Sequence, residues 1–168
     1  MSIPSPDAPA SPEVAEIERA LTRITYLSTR ARQHERLMAA AGVPLDRAAV
    51  ALLRQVAESE PLRPGELAHR LGVEASHVTR TVQQLERSGH LSRVPDPADR
   101  RAQRIELTES GRRAVADVRA AGVRGMQLAL AGWEPEELGQ LATLFHRMVD
   151  DFLLYAAEEE PEHRPART

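Results

Sequence analysis

The residues best equipped for chemistry lie between Ala75 and Ser88, where Ser76, His77, Thr79, Arg80, Gln83, Gln84 and Arg87 share one stretch of helix-forming sequence. At helical spacing Val78, Val82 and Leu85 gather on one apolar face. The opposite face then carries Ser76, Arg80, Gln83 and Arg87, with His77, Thr79 and Gln84 at its edges, and only Glu86 interrupts it. These groups suit the edges of DNA bases: arginine pairs with guanine, glutamine with adenine, and hydroxyls with either. A second set follows in Pro95-Asp96-Pro97-Ala98-Asp99-Arg100-Arg101, a loop stiffened by two prolines and tipped by two arginines, with Arg104 just beyond. Asp99 stands where it can brace a guanidinium, and a stiff arginine tip fits a narrow, electronegative minor groove.

Other chemistries find little support. None of the six histidines forms a metal-ligand pair such as His-Glu-x-x-His, and the chain has no cysteine. No glycine-rich phosphate loop or nucleophile-elbow serine occurs, so neither an enzyme nor a bound metal or cofactor is expected. The net charge of −3 is unusual for a partner of DNA, but it is unevenly spread. Residues 62–113 hold ten arginines against seven acids (+3), whereas residues 134–168 hold nine acids against three arginines (−6). A basic middle and an acidic end imply one face for an anionic partner and another kept off it. Every basic residue is arginine and asparagine is absent, which removes the asparagine contact to adenine. No apolar run approaches the ~18 residues of a membrane span, so a cytoplasmic protein without a membrane partner is expected.

The elements that must position these groups are mainly helical. Proline-rich residues 1–11 read as a flexible lead-in, and a long helix is expected over 12–41, with Val14, Ile17, Leu21, Ile24, Leu27 and Ala31 as its apolar stripe. Asp46 can cap a helix to about Ser59; Pro64 opens a short helix ending at Gly72, and the 75–88 helix ends at Gly89. Leu67, Leu71, Val73 and Val78 are expected to pack these two together as a helix-turn-helix. Leu91–Val94 and Arg104–Leu107 read as a β-hairpin around the loop, a wing over 95–103. Thr108 can cap a helix to about Ala131, interrupted at Gly122 and Gly125. Pro135 opens the last helix, where Leu138, Leu141, Phe145, Met148, Phe152 and Tyr155 step 3-4-3-4-3 as a heptad seam, before a polar tail over 160–168 expected to be disordered. Burying both the first stripe and the last seam is easiest across a two-fold interface, which predicts a homodimer.

Gly72-Val73, Val78-Thr79-Arg80, Leu85-Glu86-Arg87-Ser88-Gly89, Asp96-Pro97-Ala98-Asp99-Arg100-Arg101 and Leu107-Thr108-Glu109-Ser110-Gly111 together resemble the MarR family of bacterial transcription regulators. The resemblance implies a mainly α fold with a small β-hairpin wing: a winged helix-turn-helix over 45–111, with dimerisation helices over 12–41 and 112–159. It implies a homodimer on a pseudo-palindromic double-stranded operator, with Ser76, Thr79, Arg80 and Gln83 in the major groove and Arg100 and Arg101 at the wing, Arg101 being favoured for the minor groove. It further implies a ligand-responsive repressor whose small-molecule effector would lie near Tyr26, Arg30, His34 and Leu52; Arg30 suits an anionic aromatic or carboxylate. The alternative is an architectural DNA-binding protein with no ligand and no sequence preference. Arg63 and Glu74 stand where family members often carry a capping serine or threonine, so two helix caps are expected to be missing.

Overall fold

A computed structural model describes residues 11–59, 61–99 and 101–159. The lead-in before Ser11, Arg100 at the wing and the tail from residue 160 lie outside the described residues. The order is α1 (Pro12–Thr29), α2 (Ala31–Ala41), α3 (Arg47–Ser59), α4 (Pro64–Leu71), α5 (Ala75–Arg87), β1 (Leu91–Pro95), β2 (Gln103–Leu107), α6 (Glu109–Ala129) and α7 (Pro135–Glu159). The chain divides into two compact units, Met1–Arg124 and Gly125–Thr168. No helix among the described residues is long and apolar enough to cross a membrane.

Ser11, expected in the lead-in, is the N-cap of α1, its Oγ accepting from the Val14 amide at 3.3 Å. The single helix expected over 12–41 is two helices, broken at Arg30, whose backbone is extended (φ −66°, ψ 133°). The reason is local chemistry. The Ser28 and Thr29 hydroxyls donate back to the carbonyls of Thr25 and Tyr26 at 2.8 and 3.0 Å, bonds that compete with the helical ladder. The carbonyls of Ser28 and Arg30 are then satisfied by the Arg47 guanidinium, at 3.3 and 2.6 Å.

Asp46 starts α3 as its spacing predicts, its Oδ1 accepting from the Ala49 amide at 2.7 Å. The main core lies between α3, α4, α5 and the hairpin: Leu52, Leu53, Val56, Leu67, Val78, Val82, Leu85, Leu91, Ile105 and Leu107 are all buried together. Leu71 packs partly buried against this core, whereas Val73, expected between the two helices, is 40% exposed. The wing has one more pairing than the hairpin pattern suggests. Leu62 exchanges both backbone hydrogen bonds with Ile105, at 3.2 and 2.8 Å, and so ties the entry to α4 directly to β2. A second, smaller cluster of Met38, Val50 and Val118 joins α2, α3 and α6.

Helix α6 runs unbroken through Gly122 and Gly125, contrary to the expected interruption. A helix tolerates isolated glycines at a cost of about 1 kcal/mol each, and both these positions are open around the backbone. Thr108 caps α6, its hydroxyl accepting from the Gly111 amide at 3.0 Å and donating to the Gly89 carbonyl at 2.6 Å. Gly111 is obligatory for a different reason: a Cβ there would stand 2.1 Å from the His90 carbonyl oxygen.

Candidate nucleic-acid interface

Helix α5 is held by a buried face of Val78, Thr81, Val82 and Leu85. Thr81 was not among the expected core positions; it is admitted because its hydroxyl donates to the His77 carbonyl at 3.1 Å. On the outer face Ser76, His77, Thr79, Arg80, Gln83, Gln84 and Arg87 are all exposed. The Thr79 hydroxyl donates to the Ala75 carbonyl at 2.9 Å, and Arg87 Nε to the Gln83 carbonyl at 3.2 Å. Neither bond consumes the Thr79 oxygen's lone pairs or the terminal nitrogens of Arg87. Glu86, the one acid that interrupts this face, is drawn aside: its carboxylate accepts from Arg93 Nε on β1 at 2.9 Å. Glycine closes the turn before α5, Gly72 adopting the left-handed region (φ 61°) that its lack of a Cβ permits.

The two helix starts lack side-chain caps, as expected from Arg63 and Glu74. A guanidinium has no acceptor, so Arg63 cannot take the third amide of α4. Only the reverse half of a capping box forms, Glu66 accepting from the Arg63 amide at 2.8 Å.

At the wing, Arg101 is exposed and its amide donates to Asp99 Oδ1 at 3.0 Å, while the Asp99 carbonyl accepts from Ala102 at 2.9 Å. Asp99 thus shapes the turn through the backbone. The buried carboxylate of the wing is Asp96, to which its sequence context alone assigned no role. Its side chain is fully enclosed; Oδ2 accepts from Arg63 Nε at 2.7 Å and Arg104 Nε at 2.9 Å, and Oδ1 accepts from the Ala98 amide at 2.8 Å. Hydrogen bonds from Arg104 and Arg63 hold the Asp96 carboxyl well below the usual carboxylate range. Arg104, grouped by its sequence position with the DNA contacts, therefore commits its Nε to this cluster. An aspartate bonding an amide two residues on is a common turn former, which marks Asp96 as structural. Nothing local to it reveals Arg63, 33 positions away.

Of the residues assigned to an effector, Arg30 and Tyr26 come together, the guanidinium carbon lying 5.6 Å from the ring centroid. His34 is half-buried and its Nε2 is engaged with the Leu45 carbonyl at 2.8 Å, where it must be the donor. Among the described residues no three acids or histidines gather in a way that could hold a metal ion.

Two helices joined by a tight turn, followed by a hairpin braced against the first, define a winged helix-turn-helix. Residues 45–102 match the MarR family. The fold of the chain agrees. A MarR family protein from Bacillus stearothermophilus superposes with a TM-score of 0.76 at 23% identity, over 87% of this chain and 99% of that one. A transcriptional regulator of Thermotoga maritima gives 0.65 at 26% identity, over 85% and 98%. A protein of Mycobacterium tuberculosis gives 0.69 at 23%, over 92% and 100%. Regulators of this family bind DNA, generally as dimers, and are not enzymes.

Proposed function

We propose that the chain is a homodimeric, sequence-specific transcription regulator, with α5 entering the major groove and the wing lying at the minor groove of a pseudo-palindromic operator. The observation that carries this reading is the outer face of α5. Ser76, Arg80, Gln83 and Gln84 are exposed there with no side-chain hydrogen bond or ion pair to any other described residue. The one acid of the helix is meanwhile paired with Arg93. A surface helix of ordinary sequence tends to pair its charges along its own length; this one leaves its donors and acceptors available. Dimerisation is supported by the exposed apolar side chains of α1 and α7, among them Ile24, Leu27, Phe145 and Phe152. A small anionic effector is supported by Arg30, an exposed cation beside the Tyr26 ring at the break between α1 and α2; repression released by that effector and a cytoplasmic location complete the reading.

Selection of bound fragments from genomic DNA tests it. The expected product is a pseudo-palindrome with half-sites roughly 10 bp apart, one helical turn. Arg80→Ala should then cost ~1–3 kcal/mol on the selected site and little on unrelated DNA. Equal enrichment of all fragments, with a ratio of specific to nonspecific binding near one at fixed salt, favours an architectural protein instead. A panel of aromatic carboxylates that leaves melting temperature and operator affinity unchanged removes the effector.

A further inference from the structure

Asp96 is approached by arginines from two different parts of the fold. Arg104 lies eight positions along the same hairpin, whereas Arg63 comes from the N-cap of α4, 33 positions earlier. The N-cap residue normally spends its side chain on its own helix. Arg63 cannot, and its guanidinium reaches across to the wing instead. The backbone bridge between Leu62 and Ile105 fastens β2 to the same spot, but it ends at Ile105. Beyond that bridge the loop carrying Arg101 is closed by the Asp96 amide, which donates to the Ala102 carbonyl at 3.1 Å, and by the Asp96 side chain, which takes Ala98, Arg104 and Arg63. Of these bonds only the one from Arg63 connects the loop to the helix pair. A second tie, Arg93 to Glu86, links β1 to α5 at the middle of the hairpin, where Arg93 stands across from Ile105.

We propose that Arg63 is a positioning residue for operator binding: through Asp96 it fixes the wing loop, and with it Arg101, relative to the recognition face of α5. This rests on the DNA-binding reading above. Two contact sets held in one arrangement before binding do not have to be ordered during it, and that saving appears as affinity. Arg63 then contributes without touching DNA. Its 42% exposed side chain leaves a competing possibility, a direct phosphate contact, which makes a different prediction.

The test uses the full-length dimer, its selected operator fragment, and the variants Arg63→Ser, Arg101→Ala and the double substitution. Serine supplies α4 with the N-cap it lacks, so the helix is maintained or strengthened while the tie to Asp96 is lost. The expected results are a folded Arg63→Ser dimer whose new cap offsets part of the stability lost with the Asp96 bond, faster hydrogen exchange at the Asp96, Ala98 and Ala102 amides, and about tenfold weaker operator binding. Arg101→Ala, expected to cost about tenfold in the parent, should cost less than about threefold once Arg63 is serine, because coupled residues are non-additive. Full additivity means that Arg63 acts on DNA by itself and overturns the proposal, as does parental affinity and exchange in Arg63→Ser. A parent that selects no DNA sequence overturns the regulator reading and this proposal together. Normal selection with additive losses overturns only the role of Arg63.

Discussion

The winged region and the terminal helices treat their apolar side chains in opposite ways. Between Ala49 and Leu107 the large aliphatics of α3, α4, α5 and the hairpin close into one buried core, with Leu52, Leu53, Leu85 and Ile105 at most 1% exposed. Along α1 and α7 none of the described side chains is buried, and Ile24, Leu27, Phe145 and Phe152 are each about half exposed. A fully buried Leu or Val stabilises a fold by roughly 1.5–3 kcal/mol relative to its exposed state. The winged region therefore carries its own stability, whereas the apolar side chains of α1 and α7 gain little from burial within the chain itself. Contiguous apolar surface of this kind on a monomer marks an interaction site. On the proposed function, the region that reads DNA and the regions that pair protomers are thus stabilised by different events, and can be perturbed separately.

The largest expected effect is inside the winged core. Leu85→Ala removes the central anchor of α5 and should cost ~2–5 kcal/mol, lowering the melting temperature equally at low and high protein concentration and abolishing operator binding. A loss that depends on concentration would show that this core is not independent of the dimer. Next is Phe152→Asp on α7. It should weaken the dimer about a hundredfold, or about 2.7 kcal/mol, so that sedimentation at micromolar concentration detects monomer while the winged region keeps its helical signal. A monomeric parent, or a variant that sediments like the parent, would remove α7 from the interface.

The same division explains what could be read without coordinates. Helices α4 and α5 and both strands follow from turn residues and apolar spacing, because their determinants are local: Pro64, Gly72 and Gly89 punctuate them, and Val78, Val82 and Leu85 orient one face. The break at Arg30 was hidden because an apolar stripe continues across it from Leu27 to Ala31, and only the combined pull of Ser28, Thr29 and Arg47 interrupts the helix. The exposed polar face of α5 was legible for the same local reason. The groups that hold the interface in place were not. Asp96–Arg63 and Leu62–Ile105 join residues remote along the chain, Glu86–Arg93 crosses the turn between a helix and a strand, and no periodic pattern encodes such pairs.

Acid should separate the two regions further, by a smaller amount. The Asp96 carboxyl lies below its ordinary range because Arg104 and Arg63 bond its charged form. The unfolded chain takes up that proton near the ordinary value of about 3.9, and the folded chain only at lower pH. The contribution is thus complete above about pH 5 and falls as pH drops below about 4. Asp96→Asn should be less stable than the parent at neutral pH, and the gap should narrow steadily in acid melts. A constant gap would mean that packing rather than charge accounts for the loss. The apolar faces of α1 and α7 contain no equivalent buried carboxylate among the described residues, so dimer dissociation should not follow this titration.

The smallest effect tests whether the winged region gains from purely local changes. Glu74 stands at the N-cap of α5 with extended backbone (φ −61°, ψ 138°), but its side chain makes no capping bond. Serine in that geometry accepts from an amide of the first turn, which by itself stabilises by roughly 0.5–2 kcal/mol. Glutamate already interacts favourably with the positive end of the helix dipole, typically by 0.3–1 kcal/mol, and that is lost. The net expectation for Glu74→Ser is a gain of about 0.5 kcal/mol in denaturant melts, with the dimer dissociation constant unchanged. No gain would mean that the charge of Glu74 already does the work of a cap. A shift in the dimer constant would show that α5 and the protomer interface are coupled, and that the two regions are less separate than their cores indicate.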